Sequence, residues 1–194
     1  GCTATIVYQM FCEKGIEIPP HIAGLLCAAI ISDTLLFRSP TCTPVDCEAA
    51  RYLAQKACID CESFAAEMFE AGSNMKSKTA EQIFFQDFKV YDVEKMSVGV
   101  AQISCMAKSD LEIAKAKLKE YLEKARKEQR LNMLFFMLTD IMSETTELLC
   151  EGDGAERTAK EAFGVEAENG AVILPNVISR KKQLIPSLLS KLQK

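Results

Sequence analysis

The chain has 194 residues, 48% of them hydrophobic and 26% charged, which is typical of a globular protein and excludes a disordered or collagen-like chain. Its 27 acidic and 23 basic side chains give a net charge of −4, which argues against a protein that binds nucleic acid through its overall charge. His21 is the only histidine, so the chain cannot form a histidine-rich metal site by itself. The length allows one domain or two small ones.

The sequence predicts a cytoplasmic protein without a membrane span. The longest apolar run, residues 22–31, is too short to cross a bilayer, and residues 1–15 show no signal peptide. The nine cysteines are an odd number spread over predicted helices and strands, which favours reduced thiols over a disulfide framework. Cys58 and Cys61 have metal-ligand spacing, but no second pair stands at a zinc-finger interval, so a helix–helix junction is the alternative.

Residues 1–71 predict helices only. The second of these helices is apolar on nearly every face and is therefore expected to be buried on all sides. Thr43, Pro44 and Asp46 together form a strong start for the third helix. The four helices are expected over residues 3–13, from Pro19-Pro20 to Ile31, from Pro44 onward, and over about residues 61–71.

Residues 72–78 are small, polar and charged, and they predict a linker. Residues 79–194 predict a mixed α/β sheet that is large enough for its own core. The change of apolar phase at Ala101-Gln102 predicts a β-bulge, and Ser109 with Glu112 predicts a capping box. Strands are expected over residues 86–92, 98–106, 133–138, 147–150, 171–174 and 176–179; helices are expected over residues 79–84, from Ser109 to Ala125, over 155–163, and near the C-terminus.

Asp33 is the first candidate functional residue. It follows a nearly apolar helix, where an ionised carboxylate is costly without a partner such as a metal ion or a lysine. The alternative is a helix-end aspartate that binds local amides. Asp140, after a buried strand, has two similar interpretations: it faces a crevice, or it forms a turn.

Three consecutive cations, Arg180, Lys181 and Lys182, are the second candidate. Arginine together with lysine can hold phosphate oxygens through paired donors and point charge. The alternative is a solvated basic turn, since charge runs usually lie on the surface. Lys89 lies on a predicted strand and is, by itself, expected to face water.

Five segments stand in an order that resembles the family II, manganese-dependent inorganic pyrophosphatases of the DHH phosphoesterase superfamily. The resemblance extends over essentially the whole chain. The five segments are Gly1-Cys-Thr-Ala-Thr5, Ile22-Ala-Gly-Leu-Leu26, Ser32-Asp-Thr-Leu-Leu-Phe37, Ser39-Pro-Thr-Cys-Thr43 and Ser179-Arg-Lys-Lys-Gln183.

This resemblance implies an α/β fold in which residues 1–71 are the mostly helical, C-terminal part of a DHH catalytic domain. Residues 79–194 would be the smaller C-terminal mixed-sheet α/β domain, which binds substrate. The implied activity is hydrolysis of pyrophosphate to two phosphates by a metal-activated hydroxide. The implied cofactors are Mn²⁺ or Co²⁺, with Mg²⁺ accompanying the substrate, and the implied assembly is a cytoplasmic homodimer that binds neither nucleic acid nor membrane.

The resemblance also implies residue roles: Asp33 as a metal ligand, and Lys89, Arg180 and Lys181 as substrate-binding residues. The family's histidine, its Asp-x-Asp pattern and its Asp-His-His motif have no counterpart here. The chain is therefore expected to be a fragment that contains no complete catalytic set and is inactive alone.

Two alternatives stay open. The first is another DHH-superfamily phosphoesterase, which would act on polyphosphate or a nucleotide. The second is a non-catalytic binding fragment, in which residues 1–71 would expose apolar helix faces.

Overall fold

The computed structural model describes residues 1–94, 96–168 and 170–192. The chain divides into two compact units, Gly1–Gly72 and Ser73–Lys194. No helix among the described residues is both long enough and apolar enough to cross a membrane.

The first unit consists of helices, as its composition predicts. The start of its third helix is a capping box, because the Thr43 side chain accepts from the backbone N–H of Asp46 and the Asp46 side chain accepts from that of Thr43. That helix ends where Cys58 takes a left-handed conformation. The helices are α1 (Thr3–Glu13), α2 (Pro20–Thr34), α3 (Pro44–Ala57) and α4 (Cys61–Ser73).

Helix α2 is buried on one face only, so the expectation of burial on all sides is wrong. Ala23, Cys27 and Ile30 are fully buried, whereas Leu25 is 68% exposed. The buried residues recur at helical spacing, and that face contacts α1 and α3. An almost uniformly apolar composition cannot indicate which face has neighbours, because every face has the same character.

The second unit is built on a mixed sheet, which confirms the predicted fold class. Among its described residues, six strands stand in the order β1-β2-β3-β4-β6-β5. Strands β2 and β3 are parallel, and the other neighbours are antiparallel. The strands are β1 (Phe88–Val93), β2 (Met96–Cys105), β3 (Met133–Asp140), β4 (Thr145–Glu151), β5 (Ala167–Glu168) and β6 (Ala171–Pro175).

A hydrophobic core lies on each face of this sheet. One core contains Phe84 and Phe136 with the apolar residues of the helices before β3, and the other contains Phe135 with those of the helices after β4. Because both faces are covered, β3 is apolar along almost its whole length, as its sequence predicts. The helices of this unit are α5 (Ala80–Phe84), α6 (Lys108–Leu118), α7 (Tyr121–Glu128), α8 (Ala155–Phe163) and α9 (Ile185–Leu192).

The helix predicted from Ser109 differs from the structure in two ways. It begins at Lys108 after Ala107, which makes no side-chain cap, so the predicted capping box is wrong. It is also interrupted after Leu118, so that the predicted single helix is the pair α6 and α7. The buried apolar residues of α6 and α7 nevertheless pack into the same core. Their helical spacing continues across the interruption, and this is why the sequence predicted one continuous helix.

Candidate functional site

Asp33 lies in the last turn of α2 with its side chain exposed. The residue after it, Thr34, is buried, and its hydroxyl accepts a 3.2 Å hydrogen bond from the backbone N–H of Phe37. Leu35, Leu36 and Phe37 all have positive φ, at 50°, 51° and 68°. Three consecutive residues with side chains in this region are rare, and such strain concentrates at functional sites. Asp33 therefore precedes a specifically shaped turn rather than a frayed helix end.

The carboxylate of Asp33 is chemically suited to Mn²⁺, which prefers oxygen ligands. A stable site needs several such ligands. Among the residues that the structure describes, no three histidine, cysteine, aspartate or glutamate side chains gather into a group that could hold a metal ion. Asp33 thus fits the role of a single ligand, and the described residues do not complete a manganese site.

Asp46 is a buried carboxylate that joins α1 to α3, and sequence reasoning identified it only as part of a helix start. It accepts hydrogen bonds from the N–H of Cys2 at 3.0 Å, from the hydroxyl of Thr5 at 2.5 Å, and from the N–H and hydroxyl of Thr43 at 2.8 and 2.7 Å. Burial raises the pKa of Asp46, but these hydrogen bonds outweigh burial and hold the pKa below its ordinary value. Two of the motif segments, at residues 1–5 and 39–43, therefore meet at this side chain.

The segment after β6, predicted as a strand over residues 176–179, forms no strand. Side chains bind most of its backbone, while the N–H of Asn176 donates to the backbone carbonyl of Glu144 at 2.8 Å. The Gln183 side-chain oxygen accepts from the N–H groups of Ile178 and Ser179 at 3.0 and 2.9 Å, and the Thr146 hydroxyl donates to a carbonyl of the same segment. The segment is extended but held in place, and it leads directly into a π-helical turn, Arg180–Leu184.

Gln102 on β2 connects the sheet to this turn. The predicted β-bulge is wrong, because β2 keeps continuous register with both neighbours. Val98 and Val100 lie in one core, and Gln102 continues the same face by strand alternation. Its amide nitrogen donates to the carbonyl of Ile178 at 2.9 Å, and its oxygen accepts from the N–H of Arg180 at 3.4 Å. The change of apolar phase was thus the sequence signal of this polar contact.

Arg180 is only 9% exposed and is paired with Asp87. Its Nη1 donates to the Asp87 carbonyl at 2.8 Å, and its Nη2 lies 2.8 Å from Asp87 Oδ1. Its Nε is buried and has no hydrogen-bond partner among the described residues. Asp87 ends the 3-10 turn Phe85–Asp87, which directly precedes β1. The turn that begins with Arg180 is therefore attached to the start of β1.

Lys89 lies on β1 two residues after Asp87, with its side chain exposed. Lys181 and Lys182 follow Arg180 and are also exposed. The structure thus places Arg180 at the start of β1, the strand that carries Lys89, whereas Asp33 belongs to the first unit. This arrangement offers one buried, paired guanidinium and exposed ammonium groups, which suits an anion with several phosphate oxygens.

Three other candidates have simpler roles. Cys58 ends α3 and Cys61 begins α4, so these cysteines lie at a helix–helix junction. The Asp140 carboxylate accepts from the N–H groups of the turn that follows β3, at 2.9 and 3.2 Å. His21 is exposed in the first turn of α2.

Comparison with known proteins agrees with the motif order. The chain is 42% identical over 193 residues to a Clostridium acetobutylicum protein named as a manganese-dependent inorganic pyrophosphatase, covering all of this chain and 62% of that protein. It is 46% identical over 188 residues to a protein of Clostridium perfringens named as a cobalt-dependent inorganic pyrophosphatase, covering 97% of this chain and 34% of that one. The chain thus spans less than two thirds of the length of each of these relatives.

A solved structure and a family model extend these similarities. A Methanococcus jannaschii crystal structure, named as that of a family II inorganic pyrophosphatase, superposes with a TM-score of 0.83 at 36% identity, covering 99% of this chain and 65% of that one. The inferred resemblance is thereby confirmed. The family model described as the DHHA2 domain matches residues 66–190. Since this match covers well over half of its residues, the chain belongs to the DHHA2 domain family.

Proposed function

We propose that this chain is the phosphate-binding part of an inorganic pyrophosphatase, an enzyme that hydrolyses pyrophosphate to two phosphates. The observation that carries the proposal is the fixed basic turn, Arg180–Leu184: Gln102 and Gln183 hold the backbone where the turn begins, and Asp87 holds the Arg180 side chain. A fixed cation binds an anion with less ordering cost than a mobile one. The relatives named as inorganic pyrophosphatases support pyrophosphate as the anion.

Each cation has a distinct part in this proposal. Arg180 has five N–H groups, and Asp87 contacts its two Nη atoms through one hydrogen bond and one ion pair, so N–H groups remain for phosphate oxygens. Lys181 and Lys89 are exposed and supply point charge. As the phosphoanhydride bond breaks, negative charge builds on the leaving phosphate, and the three cations would stabilise that charge.

We further propose that Asp33 is one ligand of a Mn²⁺ or Co²⁺ ion and that Mg²⁺ accompanies the substrate. A bound divalent cation would activate water and neutralise phosphate charge. Because the described residues do not complete a metal site, we expect the 194-residue chain to be inactive by itself. We place the protein in the cytoplasm as a homodimer without nucleic-acid or membrane partners, and the nine free cysteines agree with a reducing compartment.

The test is phosphate release by the full-length protein that carries this sequence, assayed with Mn²⁺ or Co²⁺. The substrates are pyrophosphate, tripolyphosphate and a dinucleotide. We expect kcat/KM for pyrophosphate to exceed that for the other two by roughly tenfold or more, a difference of about 1.4 kcal/mol. Preference for either of the others would overturn the substrate in favour of another DHH-superfamily phosphoesterase. No release from any substrate would overturn the activity and favour a non-catalytic binding protein.

A further inference from the structure

We propose that Asp87 is a positioning residue: it holds the Arg180 guanidinium at the start of β1, oriented for an anionic ligand. This inference rests on the proposed phosphate-binding function and adds to it a residue that the motif resemblance does not include. The backbone carbonyl of Asp87 accepts a hydrogen bond from Arg180 Nη1, and the carboxylate of Asp87 forms an ion pair with Arg180 Nη2, both at 2.8 Å.

Charge and burial explain why Arg180 needs such a partner. The Arg180 side chain is 10% exposed, whereas that of Asp87 is 49% exposed. A buried guanidinium is costly unless it is paired and hydrogen-bonded, and two further cations, Lys181 and Lys182, follow it in the chain. The Asp87 carboxylate compensates this charge, and so Arg180 can stay inside the protein before any ligand arrives.

Asp87 is itself firmly placed. The 3-10 turn that it ends is surrounded by aromatic side chains: the Phe84 ring centroid lies 4.9 Å from that of Phe85 and 4.7 Å from that of Phe88. Phe84 is fully buried in one core of the sheet. Offset and edge-on aromatic contacts of this kind stabilise a fixed arrangement. The core therefore fixes the position of Asp87, and the contacts with Asp87 fix the position of the Arg180 guanidinium.

The Nε of Arg180 is the hydrogen-bond donor of the guanidinium that Asp87 does not contact. This nitrogen is buried and has no partner among the described residues, and a buried donor without a partner is destabilising. With both Nη groups directed to Asp87, the Nε edge and the remaining N–H groups are fixed in orientation. An oxygen of a bound phosphate is a suitable acceptor for them. Asp87 thus restricts the guanidinium to one orientation.

The test compares Asp87→Asn, Asp87→Glu and Asp92→Asn in the full-length protein. Asp92 is a matched control, since it lies on β1, is exposed and bonds to Ser97. We expect Asp87→Asn to raise KM for pyrophosphate roughly tenfold with a smaller change in kcat. Asp87→Glu should recover part of the loss because it keeps the charge, and Asp92→Asn should behave as wild type. An unchanged KM in Asp87→Asn would overturn the inference.

A double variant separates positioning from a merely structural ion pair. If Asp87 acts through Arg180, then adding Asp87→Asn to Arg180→Ala should not raise KM further. An equal rise in KM in both backgrounds would overturn the positioning role. Thermal unfolding of each variant identifies losses caused by destabilisation, which would move Tm and KM together.

Calorimetric titration with pyrophosphate distinguishes the failure of this inference from failure of the proposed activity. If the wild type binds but does not hydrolyse pyrophosphate, the activity is wrong, and weaker binding by Asp87→Asn would still support positioning. If the wild type neither binds nor hydrolyses it, both proposals are overturned. Wild-type hydrolysis with equal affinities for wild type and Asp87→Asn would overturn the inference alone.

Discussion

The side-chain amide of Gln102 donates a 2.9 Å hydrogen bond to the carbonyl of Ile178, a residue 76 positions later in the chain. Through its oxygen, the same side chain accepts from the N–H of Arg180. A central strand of the sheet is thereby connected to the segment that carries the basic residues. The polar face of β2 at this point serves the candidate site rather than the core.

Replacing Gln102 with leucine tests this connection. Gln102→Leu keeps a similar volume but leaves the Ile178 carbonyl without its side-chain donor. We expect the free energy of unfolding to fall by about 1–3 kcal/mol, measured by urea denaturation, and pyrophosphate binding to weaken. The exposed Gln55→Leu is the control and should change stability by less than about 0.5 kcal/mol. Equal stability and affinity in Gln102→Leu and wild type would refute the connection.

Elements whose signals are local were predictable from the sequence. Thr43, Pro44 and Asp46 predicted the start of α3 because a capping box involves only residues within one turn. The strand predicted over residues 133–138 is β3, whose apolar run is buried on both faces.

The features that sequence reasoning missed depend on distant partners. Residues 176–179 were predicted as a strand, but the side chains of Gln102, Thr146 and Gln183 bind most of their backbone instead of a sheet neighbour. The Arg180 partner, Asp87, precedes it by 93 positions, and no local pattern indicates such a pairing. The basic segment itself could be named from the sequence, whereas the side chains that hold it could not.

Because the carboxylate of Asp46 is buried and hydrogen-bonded, we predict that the first unit loses stability in acid. Because its pKa is lowered in the folded state, its contribution to stability is complete above its unfolded pKa of about 3.9 and is lost as the pH falls below that value. Asp46→Asn should lower the free energy of unfolding at pH 7 by about 3 kcal/mol and should flatten the acid dependence. Urea denaturation of the two proteins between pH 2 and about pH 7 measures both effects.

The control for this prediction is Asp60→Asn. Asp60 is exposed and accepts a 2.9 Å hydrogen bond from the N–H of Ser63, so its replacement should cost about 1 kcal/mol or less. If Asp46→Asn and Asp60→Asn lost equal stability, the Asp46 network would not have the importance argued for it.

We predict that replacing Asp33 weakens the binding of Mn²⁺. Asp33→Asn removes one negative oxygen ligand, and we expect the full-length protein to bind Mn²⁺ at least roughly tenfold more weakly, as measured by calorimetry. Because the side chain is exposed, the free energy of unfolding without metal should change by less than about 0.5 kcal/mol. Unchanged Mn²⁺ affinity would exclude Asp33 as a ligand.

Replacing Gly99 and Gly72 with alanine should change stability in opposite directions. A Cβ at Gly99 would lie 2.5 Å from Leu131 Cδ1 and 2.9 Å from Phe88 Cε2, so Gly99→Ala should destabilise the sheet by about 1–3 kcal/mol. Gly72 lies in α4, and a Cβ there would meet nothing within 4 Å. Gly72→Ala should therefore stabilise by about 0.5–1 kcal/mol through helix propensity. Thermal unfolding measures both, and a loss of stability in Gly72→Ala would contradict the second expectation.

The central claim is that the basic turn at the edge of the sheet binds pyrophosphate for hydrolysis. Its most direct test is phosphate release from pyrophosphate by the full-length protein with Mn²⁺, comparing wild type with Arg180→Ala, Lys181→Ala and Lys182→Ala. Lys181 and Lys182 are both exposed, so these two variants form a matched pair that does not disturb the fold. We predict a loss of kcat/KM of roughly 100-fold or more in Arg180→Ala and Lys181→Ala, and wild-type activity within about twofold in Lys182→Ala. Wild-type rates in both Arg180→Ala and Lys181→Ala would contradict the claim.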